Sequence, residues 1–231
     1  ELLHRHIKFL YSHGSMYKCY NSNLLYHGCI PMKADGSFEE MVIDGKAYSG
    51  KALLDYIDQR VQKAYFLPED DPEKEKCRDF MWYLWCGAKS PVFGKDKMTT
   101  FENYFVAEKE THKEKMNPYY SLSQQVEYCD KILTEFGLPT QGSHIINGHV
   151  PVKIKDGETP VKADGKLYVI DGGLSKAYQS KTGIAGYTLI YNSHHLALAE
   201  HKPFDPDKEN TPRVSIVENM PRRIMVGDTD K

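Results

Sequence analysis

Leu24-Leu25-Tyr26-His27-Gly28 and His144-Ile145-Ile146-Asn147-Gly148-His149 each run an apolar, strand-like segment into a histidine with a glycine beside it. A histidine at a strand tip can point one ring nitrogen into a cleft, and the neighbouring glycine lets an oxyanion or phosphate approach the backbone. His27 and His149 are therefore read as one half of a metal site. A satisfied structural histidine explains either one alone about equally well, but two such elements in one chain are harder to attribute to packing. The other half needs carboxylates, and the chain does not supply them in a ligand pattern.

Strand-like segments surround both motifs. Ile145-Ile146, Val150 to Ile154, Leu167 to Ile170, Tyr187 to Tyr191, Leu196 to Glu200 and Val214 to Val217 are predicted as strands, with Asn192-Ser193 as a hairpin turn. Asp-Gly pairs at Asp35, Asp44, Asp156, Asp164 and Asp171 suit the positive φ of tight turns. Helices fill the middle of the chain. Leu53, Ile57, Val61 and Ala64 recur at helical spacing after Ser49, a candidate N-cap. A second helix starts at Asp71-Pro72 and is expected to bury Phe80, Met81, Leu84 and Trp85. A third carries a capping-box pattern in Ser121 and Gln124, an apolar stripe of Val126, Cys129, Leu133 and Phe136, and Gly137 as its stop. Lys202 to Pro212 reads as a loop and Gly227 to Lys231 as a loose end.

The expected class is α+β: part of a two-sheet β sandwich with flanking helices and a mainly helical insertion. Residues 1–47 and 138–231 are assigned to the sandwich, 48–137 to the insertion. The 231 residues allow a substantial core, and a net charge of -2 with interspersed signs leaves no footprint for nucleic acid. The five cysteines form no C-x-x-C pair and are odd in number, which argues against a zinc ribbon or a disulfide framework and for a reducing compartment, the cytoplasm. No run approaches the roughly 18 apolar residues of a membrane span.

The stretches Leu25 to Pro31, Ile146 to Lys153, Tyr168 to Gln179, Thr182 to Leu189 and Val226 to Asp230 resemble the class III fructose-1,6-bisphosphatases of Firmicutes, in the calcineurin-like metallophosphoesterase superfamily. The resemblance covers essentially the whole chain. It implies hydrolysis of the 1-phosphate of fructose 1,6-bisphosphate at a dinuclear divalent centre, with Mn²⁺ the expected ion and a sugar bisphosphate as substrate, and it makes His27 and His149 ligands of the second metal. Such enzymes carry Asp-x-His, Gly-Asp-x-x-Asp and Gly-Asn-His-Asp elements earlier in the chain, and none is present here. Gly227-Asp228-Thr229-Asp230 comes nearest, with the wrong spacing. Together with a start at Glu1, this implies the C-terminal portion of a longer enzyme, inactive alone, whose bridging Asp, Asn ligand and acid His lie upstream. A partial sandwich exposes apolar edges, so a homo-oligomer is compatible with the reading.

The segment from Gly172 to Gly186 is a separate candidate. Ser175, Lys176, Lys181 and Thr182 stand among glycines, a set of cationic and hydroxyl donors that suits an anionic sugar phosphate, against the plainer reading of a flexible connection with solvated lysines. Cys29 is read as a small buried residue rather than a soft ligand. Two rival functions stand beside the leading one: another phosphatase of the superfamily, acting on phosphoproteins or dinucleotides, and a metal-free binding or regulatory module in which the histidines are structural.

Overall fold

The computed structural model describes residues Glu1–Asp230; Lys231 lies outside the described residues. In chain order the elements are α1 (Leu2–His13), β1 (Tyr17–Tyr20), β2 (Asn23–Tyr26), β3 (Met41–Ile43), β4 (Lys46–Tyr48), α2 (Gly50–Phe66), α3 (Pro72–Cys86), α4 (Thr100–Phe105), α5 (Tyr119–Leu122), α6 (Val126–Glu135), β5 (His144–Asn147), β6 (Val161–Lys162), β7 (Leu167–Val169), α7 (Lys176–Thr182), β8 (Gly186–Tyr191), β9 (His195–His201) and β10 (Arg213–Asn219). This is an α+β chain. Its residues fall into two compact units, Glu1–Lys18 with Gly28–Leu122, and Cys19–His27 with the chain from Ser123 onward.

The first unit is built on α2 and α3. Leu53 and Ile57 of α2 meet Leu84 of α3 and Met41 of β3 in a buried core, with Val61, Phe80 and Tyr48 packed around it. Ser49 takes the extended N-cap conformation, although its side chain makes no capping hydrogen bond. At the start of α3 the Asp71 carboxylate accepts from the Glu73 N–H at 2.8 Å, and Pro72 sits where its missing N–H costs nothing. The β3–β4 hairpin turns on Asp44 and Gly45, with φ of 51° and 77°, the paired positive values a two-residue turn needs. Arg60 of α2 donates to the Asp44 carboxylate and to the Tyr56 hydroxyl, so its buried guanidinium is paired.

The expected burial along α3 needs correction. Leu84 is buried and Phe80 and Met81 are half-buried, but Trp85 is 57% exposed. The buried line of the helix runs through Lys74, Cys77 and Leu84, and one further residue turns away from it by about 100°. Trp85 instead meets Trp82 edge to face on the outer side, with ring centroids 5.0 Å apart.

In the second unit a five-stranded sheet of order β1-β2-β5-β7-β6 is joined by an antiparallel sheet of order β10-β9-β8. Ile146 and Tyr168 of the first share a core with Leu196 and Leu198 of β9, walled by Tyr187, Leu189 and Val217. Strand β8 alternates as a half-buried strand should: Tyr187, Leu189 and Tyr191 turn inward while Thr188 and Ile190 are exposed. Every residue of β5 is buried, as in a parallel strand covered on both faces. On the face it shares with Ile146, His144 Nε2 donates to Glu218 of β10 at 2.7 Å, and the Tyr168 hydroxyl reaches the same carboxylate at 3.3 Å.

Four local expectations are corrected here. The capping box does not form, because Ser121 belongs to α5 and its hydroxyl donates to the Pro118 carbonyl, while α6 begins after Gln125. The apolar stripe holds, with Ile132 added to the buried Cys129, Leu133 and Phe136, and Gly137 at φ 74° ends the helix as Leu138 N–H reaches back to Leu133. Val150 to Ile154 forms no strand: Pro151 has no N–H to give, and the chain turns into a 3-10 segment at Ile154–Asp156. The segment from Gly172 to Gly186 contains the helix α7, closed by Gly183 at φ 85°. The stretch from Gly227 to Asp230, expected to be loose, is tied down: Asp230 exchanges hydrogen bonds with Asn21, and Arg222 forks onto Asp228 at 2.8 and 3.1 Å, while Lys231 lies outside the described residues.

Leu84→Ala should lower stability by about 2–5 kcal/mol, the usual cost of emptying a core leucine site, whereas Trp85→Ala should cost under about 1 kcal/mol. Denaturant midpoints of the two variants measure this. Burial pushes His144 below its ordinary value of 6.5, against the pull of Glu218. The unfolded chain therefore takes up a proton that the folded chain resists, and stability should fall as pH drops through 6.5. A melting series from pH 7.5 to 5.5 (about the histidine range) should show this slope in the wild type and a flatter one in His144→Asn.

Candidate functional site

Strands β2, β5 and β7 are parallel neighbours, so their carboxyl ends emerge along one edge, the usual ligand side of such a sheet. Leu24 pairs with Ile145 and Leu25 with Ile146. Continuing that register places His27 beside Gly148, and the Gly148 N–H donates to the His27 carbonyl at 3.0 Å. His149 follows at once. His27 Nε2 and His149 Nδ1 stand 3.2 Å apart, with the rings edge to face at 77° and centroids at 5.0 Å. His27 is exposed and His149 half-buried.

The backbone at His149 is strained. It has φ 67°, and the N–H of Val150 donates to the carbonyl of Gly148 at 2.8 Å, a three-residue γ-turn with a histidine in its centre. A side-chain-bearing residue seldom takes this conformation, and such outliers gather at sites where the surroundings impose them.

The two glycines differ in role. A Cβ at position 28 would run into the carbonyl of Pro91, which accepts the Cys29 N–H at 2.8 Å. Backbone therefore occupies the space that the sequence reading reserved for an approaching anion. At Gly148 a Cβ would meet Asp171 Cβ at 3.5 Å, the His27 main chain at 3.8 Å and His27 Nδ1 at 4.0 Å, ordinary van der Waals contacts, so a small side chain would fit here without a clash.

Two imidazole nitrogens bound to one ion at about 2.0–2.1 Å lie about 2.8–3.4 Å apart at octahedral to tetrahedral angles. The observed spacing fits a shared ion, and it fits a ring-to-ring N–H···N hydrogen bond too. Among the described residues no group of three or more His, Cys, Asp or Glu side chains is placed to hold a metal ion. The pair thus fits part of a ligand shell. Cys29 is buried, as a small core residue would be, and burial pushes its thiol up to about 12.

Of the second candidate set, Ser175, Lys176 and Lys181 are exposed on and just before α7. Thr182 is buried, and its hydroxyl donates to the Ile184 carbonyl at 2.9 Å. Three other histidines find local partners: His112 the Val106 carbonyl, His195 the Asn192 amide, His201 the Thr188 hydroxyl. One residue on the carboxyl edge escapes the sequence reading, which has Asp171 only as part of an Asp-Gly turn; aligning Ile145-Ile146-Asn147 with Leu167-Tyr168-Val169 as parallel neighbours is what places it.

No helix among the described residues is long and apolar enough to cross a membrane. The family model described as Firmicute fructose-1,6-bisphosphatase matches residues 1–231. A class 3 fructose-1,6-bisphosphatase of Finegoldia magna is 54% identical over 99% of the chain and 36% of its own length. Proteins of the same name from Clostridium acetobutylicum and Clostridium beijerinckii are 55% and 56% identical, over 100% and 98% of the chain and 36% and 35% of their own lengths. The chain thus spans about a third of the length of the curated relatives it matches. No solved structure gives a significant match. Matched from end to end by the family model and at more than half identity by these relatives, the chain belongs to the Firmicute fructose-1,6-bisphosphatase family.

Proposed function

We propose that the chain carries the two-histidine share of a divalent-ion centre in an enzyme that hydrolyses fructose 1,6-bisphosphate to fructose 6-phosphate and phosphate, a gluconeogenic step in the cytoplasm. The observation that carries this reading is the 3.2 Å approach of His27 Nε2 to His149 Nδ1 at the carboxyl edge of a parallel sheet. The name shared by the relatives supplies the substrate. Five free cysteines agree with a reducing compartment.

In this reading His27 and His149 hold one ion of a dinuclear Mn²⁺ site, presenting neutral imidazoles whose spacing is set by the Gly148 to His27 hydrogen bond. A bound pair of divalent ions clamps a phosphoryl group and supplies hydroxide near neutral pH. The exposed Ser175, Lys176 and Lys181 attract and orient the sugar bisphosphate, while Thr182 braces the segment from inside. No complete ligand set forms among the described residues, so the 231-residue chain alone is proposed to be inactive. A metal-free module, in which the histidines only bond to each other, is the competing reading that the same distance allows.

Titration of the chain with Co²⁺, followed by visible absorption, separates the two. The ion should bind the wild type, and His27→Ala or His149→Ala should abolish the signal; binding that is absent or indifferent to both substitutions would sink the metal reading. In the longer enzyme the same substitutions should lower kcat/KM for fructose 1,6-bisphosphate at least about 100-fold. A second expectation concerns the strained turn. Both His149→Gly and His149→Ala remove the ring, but only glycine accepts φ 67° without penalty, so His149→Gly should be the more stable by about 1 kcal/mol in thermal melts.

A further inference from the structure

We propose that Asp171 is a third member of this site: a positioning residue whose negative charge favours the divalent ion that the two imidazoles bind. The inference rests on the metal reading above and extends it to a residue on a third strand. Strand β7 runs parallel to β5, and beyond their paired residues the Ile170 N–H donates to the Asn147 carbonyl at 2.9 Å. That bond carries the register one step further and sets Asp171 level with Gly148 and His149. A Cβ built on Gly148 would lie 3.5 Å from Asp171 Cβ and 4.0 Å from His27 Nδ1, so the carboxylate-bearing residue and the imidazole border the same small gap.

The main chain fixes the arrangement from both sides. The Asp171 carbonyl accepts from the Val152 N–H at 2.8 Å, which ties the segment leaving His149 back to β7. Asp171 Oδ1 accepts from the Gly173 N–H at 2.7 Å, so the side chain is held by one oxygen and half-buried. Among the described residues no lysine, arginine or histidine forms an ion pair with it, in a chain where acidic groups of several other turns and helices are so paired. A half-buried carboxylate that borders the same gap as the His27 ring and has no cationic partner among the described residues is placed to attract a cation. It does not complete a three-residue ligand set among the described residues, so the role proposed for it is through charge, not direct coordination. Outer partners of this kind usually contribute 10–100-fold (about that range) to metal affinity.

The alternative is purely structural: Asp171 only caps its own turn through Gly173. Asp171→Asn separates the two, because the amide oxygen can still accept the Gly173 N–H while the charge is gone. Co²⁺ and Mn²⁺ titrations of the 231-residue chain, by visible absorption and calorimetry, should show Asp171→Asn binding about tenfold or more weakly with an unchanged melting temperature. Asp171→Asn binding as tightly as the wild type would overturn the proposal while leaving the two-histidine site intact. Asp171→Ala, which loses the turn contact as well, calibrates the structural share through its melting temperature. Wild-type binding that is absent, or unaffected by His27→Ala, would remove the metal reading and this inference together.

Discussion

The parallel pairing of β2 with β5 is the constraint on which the site depends. Three matched positions, Asn23 with His144, Leu24 with Ile145 and Leu25 with Ile146, determine what stands level at the ends of the strands. Because side chains alternate with a period of two, a slip of one residue would move the buried Leu24 and Ile145 to opposite faces of the sheet and carry His27 away from Gly148. The full burial of β5 makes such a slip costly. The 3.2 Å between the ring nitrogens is thus a consequence of hydrophobic register, with the Gly148 to His27 hydrogen bond as its last rung.

Polar groups inside the molecule are reconciled with burial in two ways. Arg60 is matched by the Asp44 carboxylate and the Tyr56 hydroxyl, and Lys74 donates to the carbonyls of Tyr65 and Leu67 as α2 ends. Each buried cation thereby closes a turn or a helix end that would otherwise leave acceptors unmet. His144 with Glu218 joins a strand of one sheet to a strand of the other, the imidazole buried and the carboxylate left half-buried.

Much of the local structure was legible because it rests on short-range rules. The spacing of Leu53, Ile57, Val61 and Ala64, the Asp71-Pro72 start, the Gly137 stop and the Asn192-Ser193 turn all depend on residues within a few positions of one another. The strand-tip histidines were legible for the same reason. What escaped depends on partners far along the chain. Trp85 fits an apolar stripe, yet which side of α3 faces α2 is decided by the core around Leu53 and Ile57. Gly28 looked like room for an anion until the Pro91 carbonyl filled it. Asp171 read as a turn residue, since only the strand order shows what stands next to it.

The strand order also bears on how the chain folds. β2 and β5 are adjacent, yet all of Gly28–Leu122 is threaded between them. Joining the ends of so long an excursion costs entropy before the pairing returns any, which makes this ladder a late and slow event if the intervening chain is still open. A compact intervening unit with its own core shortens the search. The assembly of the histidine pair is therefore expected to be gated by the folding of residues that contribute nothing to its chemistry, and core substitutions in α2 or α3 can delay the site's formation without touching it.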